Sequence, residues 1–134
     1  MFGALDISTS ALVAQRTRMN VIAANMANMN TTHDADGNYS PFRRRIAILA
    51  AGDPQNQSKM GVHVREVMLD DAPFRKVHLP NHPNADADGN VNFPNIDSSM
   101  EMINALEASR AYEANITAAE ATKSMLNAAL QLLA

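Results

Sequence analysis

Residues 97–133 read DSSMEMINALEASRAYEANITAAEATKSMLNAALQLL, a stretch that contains neither glycine nor proline. Its many alanines favour an α-helix. A side-chain oxygen of Asp97, Ser98 or Ser99 can cap the first turn, and Glu101 places a negative charge where the helix dipole favours one. The sequence therefore predicts one long helix from Asp97 to Leu133.

Along this predicted helix, one series of residues repeats with a mean spacing near the coiled-coil period of about 3.5. We expect this stripe of residues to face one partner helix, because a single helix can cover only one stripe. The other faces carry many small residues. Either alanine is there only because it favours a helix, or the small side chains allow several further helices to approach closely. The series is Met102, Leu106, Ser109, Tyr112, Ile116, Ala119, Thr122, Leu126, Leu130 and Leu133.

A second helix is predicted near the N-terminus, from about Ile7 to about Met29. Ser8, Thr9 or Ser10 could cap its first turn. An unbroken alternation of spacings of three and four, with two polar members, again indicates a coiled-coil-like seam. This series is Leu5, Ser8, Leu12, Gln15, Met19, Ile22, Met26 and Met29.

The segment between the two helices is rich in helix breakers, since all six prolines lie within it. Three short strands are predicted there, over Arg43 to Ala50, Gly61 to Leu69 and Phe74 to Leu79. The apolar–polar alternation of the second strand breaks after Glu66. So few strands can form a small sheet or hairpin but not a large core.

The expected fold is therefore mainly α with a small β-rich insert. Long N- and C-terminal helices form a coiled-coil-like pair, and the turn-rich middle segment carries the short strands. We expect two structural units: a terminal-helix core from residues 1–30 and 97–134, and a β- and turn-rich outer segment from residues 31–96.

The pentapeptide DADGN occurs twice, at Asp34–Asn38 and Asp86–Asn90. Alternating acids suggest a calcium loop, but an EF-hand requires Gly at position 6 and Glu at position 12. Here Gly is fourth in both copies, and position 12 is Arg45 or Asp97. Asp-Gly is a strong turn signal. We predict two chain reversals framing the middle segment, and a small calcium-binding regulator using these loops remains the alternative function.

Composition argues against several other classes of function. A net charge of −3 gives little attraction for nucleic acid, and the absence of cysteine excludes disulfides and thiolate metal sites. The four histidines have no paired ligand spacing, and no catalytic motif is present. The N-terminus does not resemble a secretory signal, and no apolar run is long enough for a direct membrane span. We expect no enzymatic activity and no cofactor.

Three consecutive arginines, Arg43, Arg44 and Arg45, lie beside two aromatic residues. This pattern can indicate nucleic-acid binding. In an acidic chain we instead expect one arginine to face inward along a strand and the others to pair with acids of a neighbouring molecule.

Three stretches of this chain resemble a known family. SALVAQRTRMNVIAANMANMNTT at Ser10–Thr32 is similar to the N-terminal signature of bacterial flagellar rod and hook proteins. EMINALEASRAYEANITAAEATKSMLNAALQLL at Glu101–Leu133 is similar to their C-terminal signature. HPNADADGNVNFPNID at His82–Asp97 resembles a segment particular to the proximal-rod members. The resemblance covers nearly the whole chain, and the three motifs in this order are specific.

The resemblance implies a structural subunit of the flagellar basal-body rod, the drive shaft that crosses the periplasm. Such a subunit leaves the cytoplasm through the flagellar type III export apparatus without a cleaved signal. Its terminal helices would pack in an α-helical tube, and the middle segment would form an outer layer. Its expected partners are further copies of itself, the other proximal-rod proteins, the distal-rod protein and the adaptor between rod and membrane ring. The remaining alternative is a soluble helical interaction module that does not assemble.

Several residues are candidates for contacts between subunits. Asn25, Asn28 and Asn115 are poor helix formers, so they either lie at the surface or bond to neighbouring subunits, as the family signature favours for the first two. Tyr112 is either an ordinary seam residue or, like Arg110, an anchor of an intersubunit contact. The full candidate interface set is Leu12, Met19, Ile22, Asn25, Asn28, Leu106, Arg110, Tyr112, Asn115, Ile116, Leu126 and Leu130.

Overall fold

The computed structural model describes residues 2–55 and 57–134 and contains two long helices with four strands between them. The elements in chain order are α1 Phe2–Ala27, β1 Arg45–Asp53, β2 Ser58–Leu69, β3 Arg75–His78, β4 Asn90–Phe93 and α2 Ser98–Leu133. The two predicted long helices and the small antiparallel β region between them are confirmed.

Helix α2 begins where the capping signal predicted. The side chain of Asp97 accepts hydrogen bonds from the backbone N–H groups of Ser99, at 2.8 Å, and Met100, at 3.4 Å. Its backbone carbonyl accepts the first helical bond from Glu101 at 3.0 Å. The 36 residues give a helix of roughly 54 Å at 1.5 Å per residue.

Helix α1 begins at Phe2, earlier than the predicted Ile7, so the prediction of an N-cap at Ser8, Thr9 or Ser10 is wrong. Gly3 and Asp6 are poor helix formers, but the weak preference of these two exposed residues does not end the helix. Ser10 instead donates from Oγ to the carbonyl of Ile7 at 2.7 Å, within the helix.

The two helices contact each other in antiparallel orientation, because Asn25 meets Glu101 while the earlier residue Arg18 meets the later residue Glu107. Small or polar residues of α2, among them Glu101, Ala108 and Thr122, form its buried face. Met102 and Leu106, which were predicted to lie in the seam, are 61% and 55% exposed. That part of the prediction is wrong, because small side chains allow a closer approach of the helices than large ones.

Strands β1 and β2 form an antiparallel hairpin. Ile48 pairs with Glu66 and Leu49 with Val64, so Arg65 is the extra residue of a bulge, close to where the alternation breaks in the sequence. The hairpin packs on α1: the N–H of Val62 donates to Ser10 Oγ at 3.1 Å. Next to this contact, Gly61 has a φ of +90°, which a side chain would strain.

Strands β3 and β4 form a second antiparallel pair. β3 lies within the predicted strand of Phe74 to Leu79, whereas β4 was not predicted, because its asparagines disfavour strands and only the pairing with β3 compensates. The hydroxyl of Tyr39 donates to the carbonyl of Asn92 at 3.0 Å and accepts from the N–H of Asn92 at 2.9 Å. The segment after α1 is thereby fixed to β4.

The two DADGN copies form the same turn, as predicted. In each copy the first Asp accepts from the N–H groups of the third and fifth residues: Asp34 Oδ1 at 3.0 and 2.8 Å, and Asp86 Oδ1 at 2.9 and 2.8 Å. Gly37 and Gly89 both have positive φ, at +82° and +78°. These carboxylate oxygens therefore hold the backbone of their own turn.

Candidate assembly surface and the network that supports it

A buried amide joins both helices to the first hairpin. Asn25, near the C-terminal end of α1, is 1% exposed. Its Nδ2 donates to the carbonyl of Arg45 at 2.8 Å, and its Oδ1 accepts from the N–H of Arg45 at 2.9 Å. The same Nδ2 lies 3.3 Å from Oε2 of Glu101. One side chain thus connects α1 to β1 and to α2.

The carboxylate of Glu101 is equally buried and binds the guanidinium of Arg44, the residue directly before β1. Arg44 Nε donates to Glu101 Oε1 at 2.5 Å, and Arg44 Nη1 lies 3.4 Å from Asp70 Oδ2. Burial opposes the charge on Arg44, but its hydrogen bonds to Glu101 and Asp70 and their negative charges outweigh burial and raise its pKa. The guanidinium of Arg44 is therefore paired with a carboxylate of α2, Glu101, and with one that follows β2, Asp70.

The other two arginines of the triplet also have contacts within the chain. Arg43 Nη1 donates to the carbonyl of Ala72 at 2.7 Å, and its guanidinium lies 3.8 Å from the centre of the Phe74 ring. The guanidinium of Arg45 lies 5.3 Å from the centre of the Phe42 ring. Arg44 faces inward as expected, but it lies directly before β1 and not within a strand. The pairing of the other two arginines with acids of a neighbouring molecule stays a prediction.

Large apolar side chains remain uncovered on the outer side of the first turns of α2. We call this group the N-terminal patch: Met100, Met102, Ile103 and Leu106, all more than half exposed. The buried face of the helix here is occupied by Glu101 and Ala108, so these four residues lie away from α1. A contiguous apolar surface of this kind is typical of a protein–protein interface.

The last turns of α2 present a second apolar group. Because Arg18 lies level with Glu107, the start of α1 lies level with about residue 124, and roughly nine residues of α2 project beyond it. We call Leu126, Leu130 and Leu133 the C-terminal patch. They continue the side of the buried Thr122 and the half-buried Ala119 at helical spacing, yet Leu130 is 56% and Leu133 84% exposed.

Two family models match the chain. One, described as flagella basal body rod protein, matches residues 5–32, and the other, described as flagellar basal body rod FlgEFG protein C-terminal, matches residues 87–132. The flagellar basal-body rod protein FlgC of Bacillus subtilis strain 168 is 39% identical, over 98% of this chain and 97% of the relative. FlgC of Yersinia enterocolitica is 41% identical, over 95% and 93%.

FlgC of Aquifex aeolicus strain VF5 is 41% identical, over 92% of this chain and 90% of the relative. The chain belongs to the FlgC family of flagellar basal-body rod proteins. The function predicted from the sequence, a structural subunit of the flagellar rod, is thereby confirmed. The relatives are named as basal-body rod proteins, and their family places this chain in the flagellar basal body.

The candidate interface residues occupy different environments in this FlgC-family chain. Ile22 and Asn25 are buried within the chain, so they have almost no surface left for a neighbouring subunit. Leu106, Arg110 and Leu130 are exposed. The remaining candidates are half-buried: Leu12, Met19, Asn28, Tyr112, Asn115, Ile116 and Leu126.

The amides of the half-buried asparagines bond locally. Asn28 Nδ2 donates to the carbonyl of Ala24 at 2.8 Å, and Asn115 Nδ2 donates to the carbonyl of Ala111 at 2.7 Å. Sequence reasoning missed Ile103 and Met125 as exposed apolar residues. A helical wheel centred on Ala108 would have placed both away from the buried face.

Nothing in the described part of the chain favours the calcium alternative. Within residues 2–55 and 57–134, no group of three His, Asp or Glu side chains could hold a metal ion. Over the same ranges, no helix has the length and apolar character needed to cross a membrane.

Proposed function

We propose that this chain polymerises through the exposed faces of its terminal helices into the proximal rod, where it forms part of the periplasm-spanning drive shaft that transmits torque. The observation that carries this proposal is the N-terminal patch. Met102, Ile103 and Leu106 lie on the outer side of α2, each more than half exposed. Leaving them in water is unfavourable, and burial stabilises by about 25 cal/mol per Å² of apolar surface.

The two terminal helices form the packing core of the rod tube in this proposal. Residues 1–30 and 97–134 form a coiled-coil-like pair that packs against the same residues of neighbouring copies, and residues 31–96 form the outer layer. The small side chains on the buried face of α2 support this arrangement, because they give a narrow helix pair whose other faces stay accessible.

The residues proposed at the interface are those that keep accessible surface: Leu12, Met19, Asn28, Leu106, Arg110, Tyr112, Asn115, Ile116, Leu126 and Leu130. Ile22 and Asn25 belong instead to the interior that supports them. Their burial makes them responsible for the spacing of the helices rather than for direct contact with a neighbour.

The proposal also includes the other components of the machine. The chain contacts the other proximal-rod proteins, the distal-rod protein and the adaptor between rod and membrane ring. It reaches the periplasmic space through the flagellar type III export apparatus without a cleaved signal peptide. Membership of the FlgC family supports these partners and this route. The chain acts without a cofactor and without catalysis.

The decisive experiment places a charge on the N-terminal patch. In a host that lacks its own copy of this subunit, Leu106→Glu should abolish swimming and the incorporation of the chain into purified basal bodies, because a carboxylate cannot be buried unpaired. Thr117→Glu, at an exposed position further along α2, is the matched control and should retain both. If Leu106→Glu swims normally with the chain present in its basal bodies, the N-terminal patch is not an assembly surface.

A further inference from the structure

Two of the four members of the N-terminal patch are methionines. Met100 is 54% and Met102 61% exposed, and they stand directly before and after the buried Glu101. At 3.6 residues per turn, each lies about 100° around the helix from Glu101, so they form the two margins of the patch. Ile103 and Leu106 lie between these margins. A neighbour that approaches Ile103 and Leu106 from either margin therefore has to cover a thioether.

Methionine is also the most readily oxidised side chain of this protein. The sequence contains nine methionines but neither cysteine nor tryptophan. A hydroperoxide transfers one oxygen atom to the thioether: the O–O bond breaks, an S–O bond forms and the sulfur loses two electrons. Hydrogen peroxide leaves as water, and the product is methionine sulfoxide. An exposed sulfur is accessible to this reaction in the folded chain, as both patch methionines are.

Oxidation changes the margins of the N-terminal patch from apolar to polar. In the free chain, water can bind the sulfoxide oxygens of Met100 and Met102, because both side chains are more than half exposed. The fold of the chain is then hardly affected. Covering the patch removes that water, and burying a polar group without a hydrogen-bond partner is unfavourable.

We propose that Met100 and Met102 are an oxidation site that controls the N-terminal patch, and that their conversion to sulfoxide by a hydroperoxide prevents a neighbour from covering it. This inference rests on the proposed function and adds a means of regulating the same surface. The site acts on the free chain, since a covered thioether is out of reach of the oxidant. Methionine sulfoxide reductases reverse the change.

The hairpin supplies matched controls for the same chemistry. Met60 is 64% and Met68 42% exposed, and both lie in β2, within the segment proposed as the outer layer. Peroxide should reach them as it reaches the patch methionines. Their oxidation should leave incorporation unchanged, because they lie outside the patch.

The first measurement maps the reaction on the purified, unassembled full-length chain. Hydrogen peroxide is added, and mass spectrometry follows the gain of one oxygen at each methionine. Met100 and Met102 should react as fast as Met60 and several times faster than the half-buried Met26. Patch methionines that react no faster than Met26 overturn the inference.

The second measurement uses glutamine in place of the sulfoxide, since its unbranched side chain ends in a polar group that accepts a hydrogen bond. Met100→Gln combined with Met102→Gln should reduce incorporation into purified basal bodies at least tenfold. Urea denaturation should show the same stability as for the natural chain, because glutamine is a good helix former at exposed positions. Met60→Gln combined with Met68→Gln is the control and should be incorporated normally.

A third measurement uses the oxidant itself, in a host without methionine sulfoxide reductases. Each chain is compared with and without peroxide, and all chains carry Met125→Leu, because Met125 lies beside the C-terminal patch. Peroxide that oxidises most of the free chain should lower incorporation at least tenfold. Met100→Leu with Met102→Leu should remove this sensitivity, whereas Met60→Leu with Met68→Leu should leave it in place.

The outcomes separate this inference from the function on which it rests. If the glutamine variant of the patch is incorporated normally while Leu106→Glu is excluded, the oxidation site is overturned and the assembly surface stands. Continued peroxide sensitivity of the Met100→Leu and Met102→Leu chain overturns the site as well. If the glutamine variant and Leu106→Glu are both incorporated normally, the inference and the proposed assembly surface fail together.

Discussion

The side-chain amide of Asn25 donates to the carboxylate of Glu101 across 3.3 Å, and it does so while holding both backbone groups of Arg45. The last turns of α1, the start of β1 and the first turn of α2 therefore meet at one residue. An asparagine that looked like a misplaced surface residue in a helix is the most connected side chain of the junction.

Replacing Asn25 should destabilise the isolated chain strongly. Asn25→Ala leaves the N–H and carbonyl of Arg45 without their partner in a buried place, which should lower the free energy of unfolding by about 2–3 kcal/mol in urea denaturation. Asn28→Ala is the control: its amide is half-buried and bonds locally, so the loss should stay near 1 kcal/mol. Equal losses for the two variants would contradict the role of Asn25.

The two Glu–Arg contacts of α2 should differ sharply in their contribution to stability. Glu101→Ala removes the buried partner of Arg44 and should cost about 3 kcal/mol, because only the longer 3.4 Å contact with Asp70 then balances the guanidinium and Asn25 also loses an acceptor. Glu107→Ala breaks a 3.5 Å contact of an exposed carboxylate with Arg18 and should cost less than about 1 kcal/mol. Chemical denaturation of both variants measures the difference.

The pH dependence of the buried contact follows from Arg44. Its pKa is higher in the folded chain than in the unfolded chain. The stabilisation by its contacts with Glu101 and Asp70 is therefore complete at all pH values below the pKa in the unfolded chain, and it disappears only when the pH rises through the pKa in the folded chain. The stability difference between wild type and Arg44→Leu should therefore show no loss attributable to this guanidinium between neutral and moderately alkaline pH. A loss in that range would show that Arg44 deprotonates far more easily than its contacts allow.

A side chain at Gly61 should weaken the packing of the β1–β2 hairpin on α1 and lower the stability of the chain. A Cβ there would lie 2.8 Å from Ser10 Oγ, in addition to the strain of its positive φ. Gly61→Ala should cost about 1 kcal/mol more than Gly37→Ala, where φ is also positive but nothing lies within 4 Å. In thermal denaturation, Gly61→Ala should cost less in a Ser10→Ala background than in the wild type, since the contacting oxygen is gone; both chains of that comparison lack the Val62 hydrogen bond to Ser10.

The two DADGN turns should respond identically to the same change. Asp34→Ala and Asp86→Ala each remove an oxygen that accepts from two backbone N–H groups, and each should cost about 1 kcal/mol. Asp34→Asn and Asp86→Asn keep an accepting oxygen and should be nearly neutral. Calcium should leave all these unfolding curves unchanged; stabilisation by calcium that disappears in the alanine variants would revive the metal-binding alternative.

The sequence was most informative where the controlling interactions are local. The cap at Asp97, the repeated turns and the β-branched strand of β2 depend on residues within a few positions of one another, so their patterns are visible in the chain. The start of α1 was misplaced because the helix preferences of Gly3 and Asp6 are too small to end a helix that the following residues already form.

The inward side of α2 could not be predicted for a different reason. Reasoning from large apolar residues placed Met102 and Leu106 inside, whereas Glu101 is buried because Arg44 and Asn25 reach it from 57 and 76 positions away. Contacts at such separations leave no periodic signal. The N-terminal patch was missed for the same reason: Met102 and Leu106 were predicted to face a partner helix within the chain and so were not expected to be exposed.

The junction around Asn25 and Glu101 also has a mechanical consequence. The hydrophobic effect is non-directional, so it does not by itself fix the angle between two apolar surfaces. Hydrogen bonds weaken steeply when their angles change, and bonds between charged groups are stronger than neutral ones, so sliding at this junction would break strong, directional contacts. The segment of residues 31–96 is thus held to the helix pair at a fixed angle by directional bonds, and a force applied to one part reaches the other through this junction.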